Sequence, residues 1–137
     1  MKNLKISILA LTLGLMSFSV VPNHKNTTVK TVITSPISWK IETIDVGQIP
    51  QGTPKLIEFE FKNTGKTAVK ITTVHGSCGC TATDYTKEAI APGKTAIIKA
   101  TYNAANMGVF TKTVTVTSSA EETPKVLTFK GTVVAKA

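Results

Sequence analysis

The chain of 137 residues carries a formal net charge of +8, and its length fits one domain rather than two. All 16 basic residues are lysines, so the chain has no arginine to make forked contacts with phosphate or guanine. The lysines are dispersed along the chain and form no basic cluster, and we therefore expect no nucleic-acid binding.

The first residues have the order of a secretory signal peptide. Met1–Lys5 carries two lysines and no acid, and the uncharged, apolar stretch Ile6–Val21 follows. That stretch has 16 residues, fewer than the roughly 20 that a membrane-spanning helix needs, although an uncleaved anchor is the alternative. Ser17 and Ser19 have the small-x-small spacing of a cleavage site, which predicts a signal peptide over residues 1–19 with an approximate cut. The mature chain would then be exported, periplasmic or at the cell surface, with no membrane span.

The segment that follows the predicted signal is polar and rich in threonine. Residues 20–37 show no clear core pattern beyond Val29, Val32 and Ile33, and they predict a flexible lead-in or in part a first edge strand. We expect the folded domain over residues 38–137.

Within that domain, apolar and polar residues alternate with the period of half-buried β-strands. The clearest case is Leu56–Lys62, where Ile57, Phe59 and Phe61 fall on one face. Polar turn segments separate the alternating stretches, such as Pro92-Gly93-Lys94 and Asn63–Lys66, where asparagine and glycine suit unusual dihedral angles. The other predicted strands are Trp39–Val46 with Ile41 and either Ile44 or Val46 buried, Ala68–Val74 with Val69 and Ile71 inward, Ala96–Tyr102, Phe110–Thr117 and Val126–Val134.

No stretch of the domain has helical periodicity, and about seven short strands follow one another with turns between them. This order predicts an all-β fold, an immunoglobulin-like antiparallel β-sandwich of about seven strands with Greek-key links. The chain has no cysteine pair spaced like the inter-sheet disulfide of antibody domains, so the likeness to them is one of architecture.

Four motifs in order resemble those of a bacterial family, the domain of unknown function 1573. Phe59–Gly65 is similar to its F-x-F-x-N-T-G opening, and Ser77–Thr81 to its S-C-G-C-T signature. Ile90–Lys94 resembles the I-x-P-G-x turn, and Gly108–Lys112 the G-x-F-x-K segment. The resemblance implies an exported, Bacteroidetes-type protein with an immunoglobulin-like fold, similar in shape to major-sperm-protein-like and chaperone-like sandwiches. It implies no known reaction.

The residues that could carry chemistry are His75, Cys78 and Cys80, around Gly76 and Gly79. A local disulfide between Cys78 and Cys80 fits an oxidising, exported setting, and Gly79 would let the chain bend to form it. A soft-metal site is the second interpretation, with copper bound by the two thiolates and His75, because a fourth ligand for zinc is missing. Two small, buried, reduced cysteines that shape the loop are the third.

Other catalytic constellations are absent from the sequence, which contains no Ser-His-acid set, paired-carboxylate motif or phosphate-cradling glycine loop. We therefore expect no catalytic residues and no cofactor. The favoured function is a non-enzymatic, monomeric interaction module of the cell envelope that binds an unidentified envelope protein through a free sheet edge. The alternative is a thiol-based copper-binding or redox protein that uses Cys78 and Cys80.

Overall fold

The structure is a computed structural model that describes residues 35–137. The predicted signal peptide and most of the predicted lead-in lie outside the described residues. Within residues 35–137 no helix is long and apolar enough to cross a membrane. The strands are β1 (Ile37–Trp39), β2 (Thr43–Pro50), β3 (Lys55–Asn63), β4 (Ile71–Gly76), β5 (Thr81–Tyr85), β6 (Thr95–Tyr102), β7 (Gly108–Ser118) and β8 (Lys125–Val134).

These strands form two four-stranded sheets, with orders β1-β3-β6-β5 and β2-β8-β7-β4. All neighbouring pairs are antiparallel except β2 and β8, which run parallel. The prediction of an immunoglobulin-like sandwich is confirmed, with one parallel pair that the alternation did not reveal. β1 begins at Ile37 and so crosses the predicted boundary between lead-in and domain.

The core lies between the sheets and is built by the strands with the clearest alternation. Ile57, Phe59 and Phe61 of β3 are all buried, as predicted, and their polar neighbours point outward. The inner face of β6 is formed by Ala96, Ile98, Ala100 and Tyr102, and that of β8 by Leu127, Phe129 and Val133. Burial of these side chains is the main stabilising term of such a small domain.

The first predicted strand, Trp39–Val46, is divided between the two sheets. β1 pairs with β3 as far as Trp39, and Lys40 still donates its N–H to the carbonyl of Glu60 at 3.0 Å. The carbonyl of Glu42 then accepts from the N–H of Thr128 at 2.8 Å, in the other sheet. Ile41 lies in this transfer and is 52% exposed, so its predicted burial is wrong. Ile44 and Val46 are half-buried against the core.

β4 and β5 also differ from the sequence prediction. β4 begins at Ile71 rather than at Ala68, and Val69, although buried, makes only an isolated bridge to Ile90. β5 was not predicted as a strand. It lies at the edge of its sheet and its residues are mostly polar.

Asn63 at the end of β3 is a buried side chain and not, as its place in a turn motif suggests, a residue chosen for its dihedral angles. Its Nδ2 donates to the carbonyls of Thr67 and Ile90, at 2.8 Å each, and its Oδ1 accepts from the N–H of Gly65 at 2.9 Å. Three backbone groups from two separate loops therefore depend on one amide. A Cβ at Gly65 would lie 2.8 Å from Cβ of Pro36, which explains a glycine at that position.

We expect Asn63→Asp to destabilise the domain by about 3 kcal/mol, because the carboxylate cannot donate to two buried carbonyls and is itself buried. Asn106→Asp, at an exposed position, is the matched control and should change stability by less than about 0.5 kcal/mol. Urea unfolding followed by tryptophan fluorescence measures both. Equal midpoints for the two variants would contradict this role of Asn63.

Candidate functional site: the Cys-Gly-Cys turn and the open edge of β3

The Cys-Gly-Cys turn joins β4 to β5 and so carries the chain from one sheet to the other. Ser77 before it donates its N–H to the carbonyl of Thr113 on β7 at 2.9 Å, and its Oγ accepts from the N–H of Thr113 at 3.1 Å. The carbonyl of Cys80, its last residue, accepts from the N–H of Asn103, which follows β6, at 3.1 Å. The turn is therefore fixed to both sheets by backbone hydrogen bonds.

Within the turn, the N–H of Thr81 donates to the carbonyl of Cys78 at 3.2 Å, which closes a four-residue turn. The two sulfur atoms are placed as a disulfide, with the Cα atoms 5.2 Å apart, inside the usual range for such bonds. Cys78 is half-buried with its sulfur 3.7 Å from Oγ1 of Thr81, and half-buried Cys80 packs against the core. The backbone thus brings the pair within bonding reach, and a disulfide in the mature protein stays a prediction.

The glycine that the turn requires is Gly76 rather than Gly79. A Cβ at Gly76 would lie 2.9 Å from Cβ and 3.0 Å from the carbonyl oxygen of Thr81. A Cβ at Gly79 would meet nothing within 4 Å, and Gly79 is not among the residues with a positive φ. The expectation that Gly79 is needed for the bend is therefore not supported by the backbone.

His75 does not join the two cysteines. It is exposed on β4 opposite Thr115 of β7, on the outer face of its sheet, whereas Cys80 packs inward. Within the described part of the chain, no group of three or more His, Cys, Asp or Glu side chains is positioned to hold a metal ion. The copper alternative stays a prediction that rests on Cys78 and Cys80 alone.

A second feature, the open edge of β3, follows from the transfer of the first strand. β6 pairs with β3 from Lys55 to Lys62, but β1 pairs with it only over Phe61–Asn63. The backbone hydrogen bond from Lys40 to Glu60 is the last one between the first strand and β3. Among residues 35–137, no strand therefore pairs with Lys55–Phe59 on the side of β3 that faces away from β6.

The register fixes which backbone groups of β3 are left free. Glu60 and Thr64 bond toward β1, so the even-numbered residues of β3 face that side, and in an antiparallel ladder this alternation continues. The N–H and C=O groups of Leu56 and Glu58 therefore point into the open edge. Beside them lies a surface depression lined by Lys40, Ile41, Ile44, Glu58, Glu60 and Ile97.

Binding through a free sheet edge is predicted from the sequence, but the position of this edge is not. The sequence does contain a signal for this edge, because the apolar residues change from odd-numbered to even-numbered positions. Ile37, Trp39 and Ile41 have odd numbers, whereas Ile44 and Val46 have even numbers. A strand cannot keep both sets on one face, so the chain has to break between them.

The two four-stranded sheets define a class by their fold, an immunoglobulin-like β-sandwich. A domain described as the ASH / PapD-like domain 7 of human CEP192 superposes with a TM-score of 0.63 at 10% identity, covering 75% of this chain and 88% of that one. A family profile described as a protein of unknown function, DUF1573, matches residues 37–133, and the chain belongs to that family. None of the curated proteins matches this chain.

Other structures share the fold as part of a larger chain. A protein of unknown function from Porphyromonas gingivalis superposes with a TM-score of 0.62 at 12% identity, over 74% of this chain and 50% of that one. The VesB protease of Vibrio cholerae does so with a TM-score of 0.58 at 17% identity, over 73% of this chain and 32% of the protease. At these identities the likeness shows the fold alone.

We expect Gly76→Ala to destabilise the domain by about 2 kcal/mol, because the new methyl group must displace backbone and side chain of Thr81. Gly79→Ala is the matched control and should stay within about 0.5 kcal/mol of the parent. Chemical denaturation measures both. A larger loss at Gly79 than at Gly76 would contradict the assignment.

For the cysteines we predict that the protein isolated from its cells without reductant is lighter by two hydrogen atoms than its reduced form and resists alkylation until reductant is added. The double change Cys78→Ser with Cys80→Ser should lower stability by less than about 2 kcal/mol, because the bond closes a loop with one intervening residue. Mass spectrometry and thermal unfolding check the two statements.

For the copper alternative, the reduced protein would bind one Cu(I), and Cys80→Ser would abolish binding while Lys87→Ala would not.

Proposed function

We propose that this domain is an exported, non-enzymatic interaction module of the cell envelope that binds an extended segment of another polypeptide at the open edge of β3. The observation that carries the proposal is the pair of unpaired backbone positions at Leu56 and Glu58. Unpaired N–H and C=O groups in a row are a template for an added strand. Export is inferred from the signal-like residues 1–19.

The side chains around the edge support peptide binding rather than catalysis. Leu56 on the edge is 50% exposed, and Ile41, which is 52% exposed, lines the depression beside Glu58. Small clusters of exposed apolar residues next to a polar rim are typical of interaction sites. The charged residues here form ion pairs, such as Lys40 with Glu60 at 2.9 Å.

The PapD-like fold is compatible with this role, and the family is described as one of unknown function. The superposed protease is matched over 32% of its length, which gives no support for a catalytic role of the sandwich. Function has to be argued from the site, since one fold hosts many activities.

The proposal is tested with a photo-cross-linking amino acid at Leu56, in the full chain within its native envelope. The same amino acid at Val109, which is 84% exposed on β7, is the control. We expect a cross-linked polypeptide from position 56 and none of comparable yield from position 109.

Glu58→Pro sharpens this test. The N–H of Glu58 faces the open edge, so proline there leaves the ladder to β6 intact and removes a donor that an added strand needs. We expect the cross-link at position 56 to disappear in this background while circular dichroism stays unchanged. Equal cross-linking at positions 56 and 109, or a cross-link insensitive to Glu58→Pro in a folded protein, would refute the proposal.

A further inference from the structure

We infer that the open edge of β3 accepts residues 29–33 of a second copy of this chain, so that the domain self-associates by donating a strand. The inference rests on the proposed function, because it names an occupant for the same edge. The donated segment is Val29-Lys30-Thr31-Val32-Ile33, which lies upstream of the described domain. Any cut near the predicted signal-peptide boundary retains it.

The register follows from β1. Its residues pair with β3 so that position numbers sum to 100, as in Ile37 with Asn63 and Trp39 with Phe61. An added antiparallel strand that lies along β3 beyond the end of β1 would place one residue opposite Glu58. The residue two positions later would then lie opposite Leu56. Both are hydrogen-bonded pairs, in phase with the bond from Lys40 to Glu60.

Charge decides what should lie opposite Glu58. Across the outer face, Glu58 is paired with Lys99 of β6, and Lys99 is paired with Asp84 of β5. Lys99 Nζ lies 3.9 Å from Glu58 Oε1, and Lys99 stands between the two acids in the row. A basic residue opposite Glu58 would complete an alternating row of four charges. Cross-strand pairs of opposite charge stabilise a sheet, and like charges destabilise it.

Lys30 supplies that charge, and the remaining residues of the segment then match the edge. With Lys30 opposite Glu58, Val32 falls opposite Leu56, whose side chain is 50% exposed. Val29 and Thr31 point to the inner side, opposite Phe59 and Ile57. The segment is rich in β-branched residues, which favour strands.

On the inner side, an added strand would cover apolar surface that the second sheet leaves half-exposed. Ile44 and Val46 of β2 are only half-buried, although both pack against the core. Because the chain has already joined β8 at Glu42, Ile44 and Val46 belong to the other sheet, and their strand forms no ladder with β3.

A second copy is needed because the chain's own segment cannot reach this register. Ile33 would lie opposite Lys55, whereas Ile37 is opposite Asn63, eight residues further along β3. Eight residues of strand span about 26 Å, and the four residues from Ile33 to Ile37 extend to about 14 Å at most. Strand donation in this register is therefore intermolecular.

A donated strand this short gives weak association, with a dissociation constant on the order of 0.1 mM, so the domain stays monomeric in dilute solution. The test uses the mature chain, residues 20–137, and sedimentation equilibrium at low salt. Lys30→Glu and Glu58→Lys should each raise the dissociation constant about fivefold, because each places like charges opposite one another. The double variant should return to within about twofold of the parent. Lys25→Glu with Glu88→Lys is the matched control and should change nothing.

A synthetic peptide of residues 27–34 tests the backbone bonds. It should inhibit self-association and slow hydrogen exchange at the amides of Leu56 and Glu58. N-methylation of Lys30 and Val32, whose N–H groups would donate to β3, should abolish both effects. N-methylation of Val29 and Thr31, whose N–H groups point away, should preserve them.

The outcomes separate this inference from the proposed function. No self-association up to millimolar concentration, no rescue in the double charge variant, or protection of Leu56 and Glu58 that is independent of concentration would overturn strand donation by a second copy. Any of these results can be combined with a cross-link from position 56 to a different polypeptide that Glu58→Pro removes. In that case the edge binds another partner, and only the inference of strand donation fails. If that cross-link is also absent, the proposed function fails with it.

Discussion

The transfer of the first strand between the sheets at Lys40–Glu42 is the constraint on which the rest of this domain depends. One short strand cannot cover the edges of both β3 and β8 along their full lengths. It bonds to β3 through Lys40 and to β8 from Glu42 onward. The N-terminal half of β3 is therefore paired on one side only, with β6, and Ile44 and Val46 are left partly uncovered. A first strand that stayed with β3 would close that edge and expose β8 instead.

The sequence predicts the interior strands well and the edge strands poorly, for a physical reason. β3, β6, β7 and β8 each bury most of one face, and this produces the alternation of apolar and polar residues in the sequence. β5 is held differently, because Oγ1 of Thr83 donates to the carbonyl of Val74 and the hydroxyl of Tyr85 to that of Thr72. An edge strand satisfied by such polar bonds carries little hydrophobic period, and β5 was missed for that reason.

In the candidate site, the two cysteines were predictable from the sequence, but the position of the open edge, the place of His75 and the roles of the glycines were not. The rarity of cysteine in the chain pointed to Cys78 and Cys80, and the structure places them together. Which glycine is indispensable could not be read from the motif, because it depends on the packing of Gly76 against Thr81. The same holds for Asn63, whose position in a turn-like motif hides a buried amide bonded to two loops. Long-range contacts of this kind have no local sequence signature.

The edge strands on the two sides of the sandwich differ in how many hydrogen bonds cover them, and this difference bears on function. On the side of β4 and β5, the two edge strands are joined by side-chain hydrogen bonds and by the Cys-Gly-Cys turn. On the side of β1 and β2, no comparable bonds cover the backbone of Leu56 and Glu58 among the described residues. Proteins that do not use an exposed edge usually protect it with charge, proline or a covering segment. The side of β4 and β5 contains the two cysteines, which can form a covalent bond. The side of β1 and β2 contains the free hydrogen-bonding groups of Leu56 and Glu58. A disulfide between Cys78 and Cys80 spans one residue, so it would fix the turn on the side of β4 and β5 and would leave the backbone groups of Leu56 and Glu58 unchanged.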